Sequence, residues 1–481
     1  MSRSGNRLAL LAGAALLLAP GPVLADTLKE ALVSAYNTNP TLLAARANQR
    51  ATDENVPINR ASGLPGVSGT VTYTEQLKDQ IPDLLDVTAD RNLGAGLTLT
   101  VPVYSGGSVK NSVRAADTRV EAGQADLRAT ESSVFSQVVA AYMDVILNEA
   151  LVGLATNNVN VLSVNLQATS DRFEIGDLTR TDVAQSESRL ALAQSDLRVA
   201  QANLASARER YIQQVGLVPD NLQPPPPLPG IPATPEEAVN VALEDNPDLI
   251  GARERTKAAG YDIDVAGAGR LPKIEVFTSG SYSDPLGSAP GSPYGAGTGA
   301  SAGVRATIPL FQGGRPAAQE RQAQARSAAA QETEIGTERS VIAQVRAAYS
   351  SLSAANSVIE SSQKAVSASE LSLEGVRAEN TVGNRTILNI LDAQQELLRA
   401  QVQLVTARRN AYVAGFSLLA AMGHAEARDL GLGDETMLYD PDVNYKRVRK
   451  KIWDWAMDPD PTAQATRTVD TPVQGSEIPA Q

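Results

Sequence analysis

The chain of 481 residues contains no cysteine, one histidine, two tryptophans and five phenylalanines. That inventory excludes thiol chemistry, disulfides, iron–sulfur clusters and zinc fingers. The lone His424, beside Gly423, permits only a single-histidine triad, so most familiar enzyme chemistries lack their reagents. Aromatic residues are 4% of the whole, too few for a large aromatic core. Without disulfides, stability outside the cytoplasm has to come from packing and oligomerisation. A formal charge of −12 gives no general attraction for nucleic acid. Gly297 and Gly299 lack the Gly-Lys-Ser/Thr ending of a phosphate-binding loop and read as a flexible connection.

The residues that are present begin with an export pattern. Arg3 and Arg7 precede an apolar run from Leu8 to Leu18, then Pro20, Pro22 and the small-residue ending Val23-Leu24-Ala25. This predicts a signal peptide over 1–25, cleaved after Ala25. The run falls short of the roughly 20 residues that a spanning helix needs. Beyond it the sequence reads as free of 18-residue apolar stretches, so a membrane would be reached through amphipathic strands.

The rest of the chain repeats itself at a constant offset of 207 residues. Thr27-Leu28-Lys29-Glu30-Ala31 returns at Thr234-Pro235-Glu236-Glu237-Ala238, and Asn39-Pro40 at Asn246-Pro247. Leu64-Pro65, Pro102, Gly106-Gly107 and Gly176 return at Leu271-Pro272, Pro309, Gly313-Gly314 and Gly383. Two equivalent halves are predicted, 26–220 and 234–424, joined by a stiff connector at 221–233 that carries Pro224 to Pro227 and Pro229.

Each half opens with a helical pattern, over 28 to about 60 and 235 to about 268, ended by Leu-Pro. Period-two stretches follow. Val67, Val71 and Tyr73 mark one strand, and Leu97, Leu99, Val101 and Val103 alternate with Thr98, Thr100 and Pro102 in the next. Their counterparts lie around Ile274 to Tyr282 and at Val304, Ala306, Ile308 and Leu310. The polar segments 78–93 and 284–298 read as surface loops. Long intervals almost free of Gly and Pro come next, 108–175 and 317–382, each long enough for one helix of about 100 Å. Turns at Gly176 and Gly383 send the chain back through helices to about 215 and 421.

The returning helices carry a heptad seam of Val183, Leu190, Leu197, Leu204 and Tyr211 beside Ser186, Ala193, Ala200 and Ala207. Ile390, Leu397, Leu404, Ala411 and Leu418, beside Ala393, Ala400, Ala407 and Ala414, repeat it. By length, a descending helix equals a returning helix stacked on the other half's opening helix, which predicts a tall layered wall. Four strands with open edges cannot seal a barrel in lipid, so closure requires several copies.

With these features the sequence resembles the TolC-like outer-membrane efflux and type I secretion channels. The resemblance covers about 26–424. It rests on the paired repeats, on the strand exits Pro102-Val103-Tyr104-Ser105-Gly106-Gly107 and Pro309-Leu310-Phe311-Gln312-Gly313-Gly314, and on the helix restart from Val382 through Ala393. It implies a mixed α/β membrane protein of the Gram-negative outer membrane. A homotrimer would share a twelve-stranded barrel, four strands from each chain, continued by a coiled-coil tunnel across the periplasm. It also implies a periplasmic membrane-fusion adaptor and an inner-membrane ABC or RND-type transporter as partners, with outer-membrane lipid around the barrel and neither cofactor nor catalytic residue.

Residue by residue, the resemblance places Asp392 at a pore constriction, with Asn389 where better-known members carry another carboxylate. It makes Asp182 and Arg385 a latch between the two helical hairpins, with Asn380 in place of the latch's usual aromatic. The turns Gly176-Asp177-Leu178-Thr179 and Gly383-Asn384-Arg385-Thr386 become the tips that meet the adaptor. A solvated surface position is the alternative for Asp392, and an ordinary exposed ion pair the alternative for Asp182 and Arg385.

The C-terminal remainder departs from the repeat. A segment over 425–455 ends in the basic run Lys446 to Lys451 and in Trp453-Asp454-Trp455, and reads as docking around the tunnel's middle or as simple surface solvation. Disorder is expected over 456–481. The sequence therefore predicts a passive exit duct for drugs, small molecules or polypeptides. An exported structural or adhesive coiled coil would leave the strands unexplained, and a hydrolase would need a convergent carboxylate pair that is not evident.

Overall fold

The computed structural model describes residues 27–75, 77, 91–286, 295–433 and 438–475. The predicted signal peptide, most of both strand-connecting loops and the last six residues lie outside them. In chain order the elements are helices α1 (Leu28–Thr38), α2 (Pro40–Asp53) and α3 (Asn55–Ala61), strands β1 (Gly66–Glu75) and β2 (Arg91–Tyr104), and helices α4 (Ser108–Glu174) and α5 (Arg180–Val215). The second half supplies α6 (Pro235–Asp245), α7 (Pro247–Gly267), β3 (Lys273–Leu286), β4 (Gly297–Thr307), α8 (Arg315–Thr381) and α9 (Ile387–Met422), followed by α10 (Pro441–Val448). The repeat is exact in the long helices: α4 and α8 are each 67 residues, α5 and α9 each 36.

The opening helices are not continuous, as their periodicity alone predicts. Each breaks at an Asn-Pro pair, because proline has no N–H to extend the preceding helix and its fixed φ starts a new one. Asn39 caps α2, its Oδ1 accepting from the N–H groups of Thr41 at 2.9 Å and Leu42 at 3.4 Å. Its Nδ2 turns the other way and donates to the Gln214 carbonyl at the end of α5, at 3.0 Å. Asn246 repeats the device, accepting from Leu249 N–H at 3.1 Å and donating to the Ala421 carbonyl of α9 at 2.9 Å. Each returning helix is thus stacked under the opening helices of its own half, not of the other half as its length suggests. Ser34 Oγ, donating to the Val215 carbonyl at 3.0 Å, adds to the first junction.

The main core sits at these junctions. Phe135, Val138, Val139, Tyr142 and Val145 of α4 are buried against Ala31, Leu32 and Ala35 of α1, Leu204 and Tyr211 of α5, and Phe416 and Leu418 of α9. This part of α4 corrects the reading of the chain as free of long apolar stretches. An 18-residue window of α4 is apolar enough to cross a membrane, but 44% of it is buried inside the protein. It is core. The proline connector is strapped over this level by tyrosine hydroxyls, which donate to the carbonyls of Gln223 (Tyr142, 2.6 Å), Pro226 (Tyr412, 3.2 Å) and Ala233 (Tyr349, 2.5 Å).

The four strands form one antiparallel sheet in the order β1-β2-β3-β4. Its central pair, β2 with β3, joins the halves in a register that runs from Arg91↔Leu286 to Tyr104↔Ile274, with a bulge near Pro102. The second-half strand ends at Thr307, short of the predicted Leu310. At the sheet edge, Ile308 to Phe311 have no neighbouring strand to pair with among the described residues.

The C-terminal segment is more ordered than its composition suggests. From Tyr439, whose N–H donates to Tyr36 Oη at 2.8 Å, the chain climbs beside α2 as α10. Asn444 Nδ2 donates to the buried Asp53 at 2.6 Å. Residues 456–475 contain no helix or strand, yet they are tied down. Gln474 N–H donates to Glu209 at 3.1 Å, and the Gly475 carbonyl accepts from Arg208 at 2.9 Å.

Candidate conduit, from sheet to helical tips

Strand alternation gives the sheet two chemically distinct faces. Along the cross-strand register, Val67, Val71, Tyr73, Leu93, Leu97, Leu99, Val101, Val276, Tyr282 and Val304 share one face. Ser68, Thr70, Thr72, Thr98, Thr100, Ser279, Ser281 and Ser301 share the other. Polar side chains pair there, as Ser279 with Ser301 at 2.8 Å and Arg305 with Glu275 at 2.9 Å. Apolar residues such as Val71, Leu97 and Val304 are exposed, since nothing among the described residues covers them. A sheet greasy on one side, hydroxylated on the other and open at both edges suits the wall of a water-filled passage through lipid.

At the far end of the helices the two turns share one construction. Gly176 and Gly383 both take φ of 84°, a left-handed conformation that favours glycine. Each turn closes a Schellman motif: Asp177 N–H donates to the Arg172 carbonyl at 2.9 Å, and Asn384 N–H to that of Glu379 at 3.0 Å. Thr179 and Thr386 then start the returning helices, their N–H groups donating to Asp182 at 2.9 Å and Asn389 at 3.1 Å. Asp182 and Asn389, read from sequence as latch and constriction, are therefore the same position of the repeat and first of all cap helices. The Asp182 carboxyl is held below its usual range by the Thr179 hydroxyl, then by its N–H.

The latch pair does not meet within the chain. Arg385 Nε pairs with Glu379 of its own hairpin at 2.6 Å, and the Asn380 amide donates to the Arg385 carbonyl at 2.7 Å. In the first tip Arg172 pairs with Asp177 at 2.6 Å. The hairpins are joined instead by Asp392 of α9, which accepts from Arg189 of α5 at 3.0 Å. Beside it Leu391, 3% exposed, packs with Leu162 of α4 and Ala193 of α5. Sequence reasoning missed Arg189. The available signal was that it adjoins the seam residue Leu190, as Asp392 adjoins Leu391. Leu178 is half-buried while the rest of both tips is exposed, and among the described residues no cluster could hold a metal ion.

Comparison with known proteins agrees with this geometry. The family described as "Outer membrane efflux protein" matches twice, over 31–217 and 238–424, one repeat apart. The outer membrane efflux protein BepC of Brucella suis is 34% identical over 429 residues, covering 89% of this chain and 91% of that protein. The outer membrane protein TolC of Vibrio cholerae is 25% identical, covering 88% and 96%. The crystal structure of the Vibrio cholerae outer membrane protein VceC, 20% identical, shares the fold with a TM-score of 0.71 over 82% of this chain and 96% of its own. The chain belongs to the TolC-like outer membrane efflux protein family, and it is a non-catalytic exit duct of the outer membrane with a large periplasmic helical part.

Proposed function

We propose that three copies of the chain close a twelve-stranded barrel over a common helical tunnel. In this reading the tunnel passively conducts drugs, small molecules or polypeptides, delivered by a periplasmic adaptor and an ABC or RND-type inner-membrane transporter. The observation that carries it is the two-faced sheet with two open edges. Open edges are not tolerated in hydrocarbon. Two chains would give eight strands, whose interior side chains fill, whereas twelve leave room for a lumen. The tips at Gly176–Thr179 and Gly383–Thr386, built alike, form a ring of six hairpin ends for the adaptor.

The constriction lies at the start of α9. There Asp392 faces Arg189, so its charge is partly compensated while the hairpins stay together, and Asn389 spends its oxygen on the Thr386 cap. The Nη groups of Arg385 make no hydrogen bond among the described residues, which leaves them free for Asp182 of a neighbouring chain, a latch between subunits. Planar-bilayer conductance tests the reading. The purified protein should form a pore whose preference for cations falls in Asp392→Ala. Absence of conductance even after Asp182→Ala and Arg385→Ala would falsify the duct.

A further inference from the structure

Both tryptophans of the chain sit on one exposed loop after α10. Trp453 is 71% and Trp455 80% exposed, and Ile452 and Met457 flank them as openly. The path of the chain sets the height of this loop. Tyr445 Oη of α10 donates to Asp117, in the first turns of α4 after the sheet, at 2.7 Å. One turn later the Arg449 carbonyl accepts from Arg60 at 3.0 Å. Arg60 lies in the last turn of α3, just before β1 opens. The chain then turns back, and Thr466 is again beside Gly216 at the end of α5. Residues 449–457 are therefore a projection that leaves the body at Arg449, beside the end of α3 that leads into the sheet.

The base of the projection is clamped. Arg447 grips Asp458 with two bonds of 2.7 Å, and Lys451 adds a third contact at 3.3 Å. Held in that way, the loop leaves four large apolar side chains in water. The run leading into them is basic, with Lys446, Arg447, Arg449, Lys450 and Lys451 and no acid between them, in a chain that is acidic overall. Lys446 is paired with Asp442 at 3.2 Å and Arg449 lies over the Tyr445 ring at 4.9 Å, while Lys450 has no partner among the described residues. Tryptophan with lysine and arginine at the edge of a membrane-spanning sheet is the chemistry of the bilayer interface.

We propose that this loop is an interfacial anchor, seating Trp453, Trp455, Ile452 and Met457 among the headgroups of the adjoining leaflet, with Lys450 and its basic neighbours on anionic phospholipid. The anchor rests on the sheet lying in the outer membrane. It would fix the depth and tilt of the helical tunnel relative to the barrel.

Because no other tryptophan exists in the chain, its intrinsic fluorescence reports on this loop alone. The test places the full-length protein in vesicles of phosphatidylcholine, with and without phosphatidylglycerol, using ordinary or brominated acyl chains. The expected result is a blue-shifted emission that loses more than half its intensity to brominated lipid. Shielding should grow with phosphatidylglycerol and weaken at high salt. Lys450→Glu should move the phosphatidylglycerol dependence to higher mole fractions, by about fivefold in apparent lipid affinity for each charge removed. A water-like emission indifferent to brominated lipid overturns the anchor. So does a blue-shifted emission that brominated acyl chains fail to quench, which assigns the tip to a second copy of the chain. Conductance measured on the same sample keeps the two readings apart, since a working pore with unshielded tryptophans defeats the anchor and leaves the duct standing.

Discussion

Asn39 and Asn246 each close two helices at once, with an oxygen for the helix that begins and a nitrogen for the one that ends. Their recurrence at one offset is plain in the sequence. Their second role is not, because the carbonyl each one meets lies 175 residues away and nothing local marks it. Glu131 is similar. It reads as one acidic residue among many on a long helix, but the Ala427 N–H donates to it at 2.6 Å and burial pushes its carboxyl up to about 7. Glu426 and Asp429 add to the rise and Arg46 opposes it. A carboxyl raised above its unfolded value stabilises the fold fully below about pH 4.5, and that contribution is lost as pH rises through about 7. The loss amounts to about 3 kcal/mol at most. Thermal unfolding should therefore show the protein weakening between pH 5 and pH 8. Glu131→Gln, which keeps the acceptor for Ala427, should flatten most of that slope and leave a remnant from Glu426, itself raised mainly by burial. Matching pH profiles for the two proteins would remove Glu131 from the account.

The hairpins show what periodicity can and cannot deliver. Glycine-bounded intervals and heptad seams fix where α4, α5, α8 and α9 begin and end, since those signals are local. Which hairpin leans on which, and through what, depends on side chains distant in sequence. The resemblance pointed to Asp182 and Arg385, yet within one chain the contact falls to Arg189, Asp392 and Leu391. Magnitudes rank these. The Arg189–Asp392 pair is largely solvent-exposed, Asp392 at 66%, and an exposed pair contributes up to about 1 kcal/mol. Truncating buried Leu391 costs about 2–3 kcal/mol, provided that opening pulls it from Leu162 and Ala193. Leu391→Ala should then raise the open-to-closed ratio more than roughly tenfold in single-channel recordings, and Asp392→Ala by less than about fivefold. Equal effects, or a larger one from Asp392→Ala, would place closure on electrostatics and not on packing.

At the scale of the whole molecule the repeat predicts its own continuation. Within the chain the second strand of one half pairs with the first strand of the next: β2 with β3, Leu99 opposite Thr278 and Val101 opposite Val276. Moving that register by one repeat puts β4 of one chain against β1 of its neighbour. Ala306 then faces Val71, and Ile308 faces Gly69. The same step gives Ile308 to Phe311, unpaired and exposed in one chain, the neighbour that their counterparts Val101 to Tyr104 already have in β3. It also keeps greasy residues on one side throughout, because a slip by one residue would reverse the faces. The absence of cysteine makes this directly testable. The double variant Val71→Cys, Ala306→Cys should cross-link under mild oxidation into a ladder that ends at three chains. Tyr73→Cys with Ala306→Cys, two residues out of register, should react much more slowly. A ladder that continues past three would mean an open filament, and strong cross-linking of the out-of-register pair would mean that the halves do not repeat across the subunit boundary.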